Sequence, residues 1–329
     1  MGNEIETKSF TARTTEEDQQ RRLFRHVDNR RHVVGSYRSA DIVGLVPTMI
    51  LYGGLVLVPL ILAGVLSFYN WNGVGALRFA GFRNWSAFFH DPIAAHSLEV
   101  TAILTGVSWL IQTPLSIALG LFVAGRQRYR AFYAAFYLLP LLLSTVGIAL
   151  MWQALLDPSF GGLAWLGQTS WLSFLDQNWL GGNSTALWTI IALIAWQFIP
   201  FHTLLYQMGR RQVPQVLYEA AEIDGATSWQ RFIHITLPQL RYTIVVSSTL
   251  MIVGSLTYFD IIYVLTNGGP GDTTRVLSLD MYQAAFESNI FGYASVLAVV
   301  LGVIGIVVAL TLIRLTGFSS FGSQRDGIA

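Results

Sequence analysis

The chain contains no cysteine and a single lysine, Lys8, among its 329 residues. Zero cysteines exclude disulfide frameworks, thiolate nucleophiles and cysteine metal sites together. With its only lysine at position 8, the chain has no GxxxxGK(S/T) phosphate loop, so it is not expected to hydrolyse ATP itself. Charge is scarce as well. Only 12% of residues are charged, against about 25% in a soluble domain. With 53% hydrophobic residues and a mean hydropathy of +0.50, the composition is that of a membrane protein. No repeat of 20–50 residues and no low-complexity linker interrupts it. The six histidines lack metal-ligand spacing with a carboxylate on a common face, and His90-Asp91-Pro92 reads as a turn. No catalytic constellation and no metal site emerge.

Six apolar stretches are each long enough for a bilayer, which takes roughly 20 residues. They lie near 42–69, 98–124, 132–155, 186–208, 243–266 and 290–315, so the expected fold is an all-α polytopic membrane protein with six transmembrane helices. Seventeen of the twenty Lys and Arg fall on one side of these spans, and only Arg78, Arg83 and Arg275 on the other. Positive residues stay cytoplasmic, which places both termini inside. The expected division is a charged cytoplasmic tail (1–41), a six-span domain (42–315) and a C-terminal cytoplasmic tail (316–329). The first apolar stretch is too long for a signal-peptide core and reads as an uncleaved anchor. The tail before it mixes eight basic with seven acidic residues, reads as mostly flexible, and has room for a short amphipathic helix around Leu23–Val34. The outer loops, 70–97, 156–185 and 267–289, are rich in aromatics, Gly, Asn and Pro. That suits interfacial anchoring and tight turns, and Asn267-Gly268-Gly269-Pro270-Gly271 offers several positive-φ positions.

One cytoplasmic loop, 209–242 between the fourth and fifth spans, is too long and too patterned for a connector. Val213, Val216, Leu217, Ala220 and Ala221 form the stripe of one helix face, with Pro214 suited to the first turn. Gly225 falls where a left-handed cap would end that helix. Trp229, Phe232, Ile233 and Thr236 repeat the stripe until Pro238, which is expected to stop it. Two short helices around a glycine turn, with an apolar stripe that something must cover, point to a docking surface for a soluble partner.

The loop and the spans together resemble the inner-membrane permeases of binding-protein-dependent ABC importers. The likeness is greatest to the carbohydrate branch that includes maltose and glycerol-3-phosphate permeases. The signature spacing is kept in Glu219-Ala220-Ala221, Gly225, Ile235 and Leu237-Pro238, and Asp224-Gly225-Ala226 matches the carbohydrate subgroup. FRNWSAFF (82–89), FYLLP (136–140) and FDIIYVLTNGGP (259–270) look like further blocks of that group, while Tyr242 stands where many relatives carry a second proline. The resemblance implies a bacterial inner-membrane protein that supplies half of a pathway beside a second, non-identical permease. It implies two cytoplasmic ATPases, which bind ATP and Mg themselves, and an extracytoplasmic solute-binding protein. This chain would need no cofactor and no nucleic acid. The loop would be the coupling helix, gripping the ATPase through Glu219, Ala220, Ala221, Asp224, Gly225, Trp229, Phe232, Leu237 and Pro238. For the acidic groups, Glu222 included, solvation is the alternative to pairing with the partner.

The spans are almost free of ionisable groups, which argues against a proton- or ion-coupled carrier. The exception is Asp260, which costs about 2.5–3.5 kcal/mol at mid-membrane and so faces either a cavity or a partner. Trp109, Gln112, Trp152, Gln153, Trp196 and Gln197 complete the pathway candidates, since a sugar stacks on aromatic faces and exchanges hydrogen bonds with amides. Tryptophans anchoring at interfaces and glutamines bonding between helices is the other reading. A secondary transporter or channel would instead show charged or broken helices and no coupling loop. A membrane enzyme would show acidic or histidine clusters at one face. The scarcity of basic groups in the spans favours a neutral mono- or oligosaccharide over an anionic solute. A glycerol-phosphate compound is the alternative substrate within the same class.

Overall fold

A computed structural model describes residues 46–125, 132, 136–168 and 170–315. The charged tail with its expected helix near Leu23–Val34, the arginine-rich segment 126–130 and the C-terminal tail 316–329 lie outside the described residues. The chain divides into two compact units at Leu62–Ala63. The described part of the first is most of α1 (Val46–Leu66), an apolar helix with a π turn at Gly53–Leu57.

In the second unit, the segment after α1 departs from the all-α expectation by one small ladder. β1 (Tyr69–Asn70) pairs antiparallel with β2 (Arg78–Phe79), Tyr69 opposite Phe79. Gly73 takes a φ of +91° between them, and the two aromatic rings meet edge-on at 5.4 Å, the kind of cross-strand pair that supports a short ladder. The expected outer loop 70–97 then turns helical early. α2 (Arg83–His90) is followed directly by α3 (Pro92–Val123), which starts six residues before the expected span. The reason is local: the Asp91 carboxylate accepts the Ile93 N–H at 2.9 Å, and Pro92 occupies the first helical position, where it has no N–H to leave unpaired.

The third and fifth apolar stretches, expected as single spans, are each broken. The third is α4 (Leu139–Leu142) and α5 (Thr145–Leu155), separated by extended backbone at Leu143 and Ser144. α6 (Gly162–Gly167) and a 3-10 turn (Ser170–Leu175) follow in the next loop, before α7 (Ala186–Gln212). After the segment 213–240, α11 (Arg241–Leu256) gives way to α12 (Asp260–Leu265) across Thr257–Phe259. Broken helices therefore occur without charged spans, so they do not by themselves separate a carrier from other transport folds. The last outer loop takes positive φ at Asn267, Gly268 and Gly271 of the run its sequence offered, and also at Asp272 just beyond it. It leads into α13 (Leu277–Tyr282), a π turn (Gln283–Glu287) and α14 (Phe291–Leu315). Within it Arg275 donates to Asp280 at 2.7 Å and to Asp272 at 3.2 Å. Burial raises the Asp280 carboxyl above its ordinary value against the pull of Arg275, so this pair fixes the loop's shape more than it adds stability.

α3 is the central element, packed against α7, α11 and α13, and α14 covers α11, α13 and α2. Ser108, Gln112, Ser116 and Gly120 recur every four residues along the buried face of α3, a row of small and polar residues that lets helices approach closely in a membrane. The approach is tightest at Gly120, where an added Cβ would sit 2.7 Å from the Tyr206 Cβ and 3.0 Å from the Thr203 carbonyl of α7. Gly120→Leu is accordingly expected to cost about 1–3 kcal/mol of overpacking strain and to lower the thermal midpoint of the detergent-solubilised protein. Gly106→Leu on the same helix, where a Cβ meets open space, should leave it unchanged. Equal midpoints for the two variants would show that the α3–α7 seam is not close-packed at this point.

Candidate functional site

The segment 213–240 is a helical hairpin whose turn is closed by backbone and side-chain caps. α8 (Gln215–Ile223) follows Pro214, which precedes the first turn instead of occupying it. Gly225 has a φ of +74°; its N–H donates to the Glu222 carbonyl at 3.1 Å and that of Ala226 to the Ala221 carbonyl at 2.9 Å. These are the two bonds of a Schellman cap. Two residues after Gly225, Thr227 begins a reciprocal capping box with Gln230, whose Oε1 accepts the Thr227 N–H at 2.8 Å; such a box satisfies two otherwise unpaired donors. α9 (Ser228–Arg231) continues through a π turn (Phe232–Thr236) into α10 (Leu237–Gln239). Pro238 does not stop the helix, contrary to expectation. It sits in the first turn after the π turn, where its missing N–H leaves no ladder bond open, and the chain passes through Leu240 into α11.

Val213 and Thr236, at the two ends of the apolar stripe, are buried, and most of the stripe between them is left uncovered by the described residues. Val216 is 69% exposed, Ile223 87% and Trp229 67%, with Leu217 and Ala220 also exposed and Ala221 half-buried. The Trp229 and Phe232 rings lie 5.4 Å apart, and Phe232 and Leu237 are half-buried against the hairpin while Pro238 is exposed. Glu219 and Asp224 stand exposed, whereas Glu222 reaches Arg231 at 3.9 Å, an exposed pair that contributes little. The one buried side chain of α8 is Tyr218, 8% exposed, which pattern reading passed over because it falls off the apolar stripe.

A second feature lies where the two helix breaks meet. A cavity of about 460 Å³ is lined by Leu141 and Thr145 on either side of the first break and by Thr257, Tyr258, Phe259 and Asp260 at the second. Phe198, Phe201 and His202 of α7 and Leu250, Met251 and Gly254 of α11 complete it. Helix ends left unpaired in a membrane need substitutes, and the second break has them: Ser278 Oγ donates to the Tyr258 carbonyl and Thr257 Oγ1 to the Gly254 carbonyl, both at 2.9 Å. At the first break Gln197 Nε2 of α7 donates to the Thr145 side chain at 3.0 Å. Phe198 and Tyr258 stack at 5.3 Å, and His202 bonds Ser247 at 2.9 Å. Asp260 is exposed in the first turn of α12, where the positive helix end favours a carboxylate.

Of the pathway candidates, only Asp260 lines this cavity. Gln197 touches its rim through Thr145. Trp109 instead donates to Ser248 Oγ of α11 at 2.9 Å. Gln112 is fully buried on α3, its amide without a hydrogen-bond partner among the described residues. Trp152 and Trp196 meet edge-on at 5.6 Å, and Trp196 lines a separate, apolar cavity with Phe136, Tyr137, Pro140, Leu143 and Pro200. Gln153 is exposed. Sequence reading missed Phe198, Thr257, Tyr258 and Phe259. Their signal was adjacency: Phe198 follows Gln197, and Thr257-Tyr258-Phe259 precede Asp260.

Residues 112–316 match the family described as "Binding-protein-dependent transport system inner membrane component". The chain is similar to a probable ABC transporter permease protein of Pyrococcus horikoshii, 35% identical over 83% of this chain and 95% of that one. It is also similar to the trehalose/maltose transport system permease protein MalF of Thermococcus litoralis, 37% identical over 61% of this chain and 68% of the other. Among solved structures, a chain of a bacterial ABC transporter involved in the import of the acidic polysaccharide alginate superposes with a TM-score of 0.73. That match covers 87% of this chain and 98% of that one at 23% identity, which is likeness of fold.

The cap geometry makes a specific demand on position 225. A Cβ there meets open space, so the cost of substitution is the left-handed backbone alone, about 1 kcal/mol for most residues and less for Asn. Gly225→Val should raise the hydrogen-exchange rate of the Ala226 amide by roughly fivefold or more, and Gly225→Asn should stay near the native rate. Equal rates in the two variants would mean that the left-handed cap does not hold the turn.

Proposed function

The chain belongs to the inner-membrane components of binding-protein-dependent transport systems, and we propose that in such a system it is the permease subunit of an ATP-driven sugar importer. It supplies half of the translocation pathway in six spans, with both termini and the hairpin 213–240 in the cytoplasm. A second, non-identical permease supplies the other half. Two cytoplasmic ATPases bind ATP and Mg, and a separate solute-binding protein delivers the substrate from outside. The observation that carries this reading is the hairpin. It is a doubly capped element, and Val216, Ile223 and Trp229 on it have no cover among the described residues, as a docking grip requires. In this role Trp229 and Phe232 are the aromatic anchors, Ala220 and Ala221 permit close approach, and Glu219 and Asp224 are placed to meet basic groups of the ATPase. Glu222 is partly engaged by Arg231 and serves the hairpin's own shape.

The cavity supports a neutral, hydroxyl-rich substrate. Its lining combines aromatic faces (Phe198, Tyr258, Phe259) with Thr145, Thr257 and the Asp260 carboxylate, and includes no Lys or Arg among the described residues. Ring faces suit the C–H faces of a sugar, and a carboxylate accepts from its hydroxyls. The same lining disfavours a glycerol-phosphate compound, which would need a cation. A relative named for trehalose and maltose transport is in keeping with this choice.

Two variants test the two halves of the reading. Trp229→Asp places a charge in the apolar grip, and the complex purified from its native host should lose its ATPases by about tenfold or more. Full ATPase retention would remove the hairpin from the docking role. Asp260→Asn should lower ATP-dependent uptake of labelled maltose or trehalose into proteoliposomes while assembly and ATP hydrolysis persist. A matching fall in assembled complex would make Asp260 structural instead.

A further inference from the structure

Three elements meet on the ring of Tyr218. The Arg210 guanidinium, in the last turn of α7, lies 4.0 Å above the ring centroid. The phenol oxygen is 2.9 Å from Thr236 Oγ1 in the π turn. Thr236 Oγ1 itself donates to the Arg231 carbonyl at 3.3 Å, so its proton is engaged there and Tyr218 is the donor of the shared bond. Both Tyr218 and Thr236 are buried, while nearly all of α8 around Tyr218 faces outward. The end of α7 is in turn closely set against the start of α11: a Cβ on Gly209 would lie 2.5 Å from Thr243 Oγ1 and 2.8 Å from Leu240 Cδ2. By contrast, the covalent link between α7 and α8 is the non-helical pair Val213–Pro214, which alone would let the hairpin pivot.

We propose that Tyr218 is the positioning residue that makes the hairpin move as one body with α7 and α11, so that displacement at the docking surface reaches the cavity. The proposal rests on the hairpin being the ATPase-docking element. α11 runs 16 residues, about 24 Å, from this junction to the break at Thr257–Phe259 that lines the cavity. A push on the hairpin transmitted to Leu240 and Thr243 therefore arrives at Thr257 as a shift of the broken helix end. Without the ring and its hydroxyl, the same push is absorbed at Val213–Pro214. The side chain thus does two jobs through separate atoms: the ring face holds α7, and the hydroxyl holds the π turn that leads into α11.

The native cysteine-free chain provides the reporter. Thr257→Cys is labelled with a membrane-impermeant maleimide on the full complex, with and without ATP, and the label is read on this subunit alone. Tyr218→Leu should retain its ATPases and their hydrolysis, while the ATP-dependent change in labelling falls by about tenfold, since both attachments are lost. Tyr218→Phe loses only the hydroxyl bond and should reduce the change about threefold. Combining Tyr218→Phe with Thr236→Val should bring less loss than the product of the two single effects, because the bond between the two hydroxyls is counted in both and only the Thr236 bond to the Arg231 carbonyl is lost in addition. An unaltered labelling change in Tyr218→Leu with ATPases bound would overturn the proposal. So would ATPase loss in Tyr218→Leu, which would make the residue a support of the docking surface and nothing more. If Tyr218→Leu does not fold, the Tyr218→Phe and Thr236→Val pair decides. Retention of ATPases by Trp229→Asp would instead mark failure of the docking reading itself.

Discussion

Inside hydrocarbon, a peptide N–H or C=O without a partner costs several kcal/mol, and irregular backbone survives only where protein or a polar cavity surrounds it. Two apolar stretches of this chain leave the helical ladder, at Leu143–Ser144 and at Thr257–Phe259. Residues flanking both breaks line the same cavity, and at the second the side chains of Thr257 and Ser278 take over part of the lost bonding. The breaks and the cavity thus explain each other. A chain that interrupts its helices there leaves a cavity beside the interruption, into which Thr145, Thr257 and Asp260 bring polar groups. Aromatic rings rather than charges dominate its walls, which keeps the desolvation cost low while still offering faces and edges to a carbohydrate.

The hairpin at the other end of α11 obeys a different constraint. It stands outside the apolar layer, so its turn has to be held by its own caps. The Schellman bonds at Gly225 and the capping box at Thr227 and Gln230 do this with neighbours in sequence. That rigidity leaves Val216, Ile223 and Trp229 free to stand in solvent without collapsing onto the chain. A soft hairpin would fold these side chains inward. A capped one presents them.

Between cavity and hairpin, transmission depends on close contact. The seam of α3 with α7 carries Gly120 at its tightest point, and the junction of α7 with α11 carries Gly209 at its own. Small residues at both places let backbones approach, and van der Waals contact is what holds helices together when lipid tails compete with side chains on equal terms. At the loop-rich end, the Arg275–Asp280 pair ties the turn before α13 to that helix.

Much of this was legible in the residue order. Gly225, the apolar stripe around it and the asymmetric arginines are local or compositional signals, because caps and helix faces are made by residues within a few positions of one another. The two helices and the left-handed turn at Gly225 were therefore readable, but not the capping box at Thr227 and Gln230, the place of Pro214 before the first turn or the continuation through Pro238, since these depend on how the turns around them close. The helix breaks were not readable. Leu143, Ser144, Thr257 and Tyr258 are ordinary residues whose local propensities are compatible with helix, and their departure is decided by distant partners such as Gln197 and Ser278. The same holds for Tyr218, whose importance comes from Arg210 and Thr236 arriving from two other elements. The sequence by itself determined which segments are apolar, how the hairpin turns and which side chains it exposes. Only the tertiary structure decided where the helices break and what lines the cavity, because those outcomes depend on contacts between residues far apart in the chain.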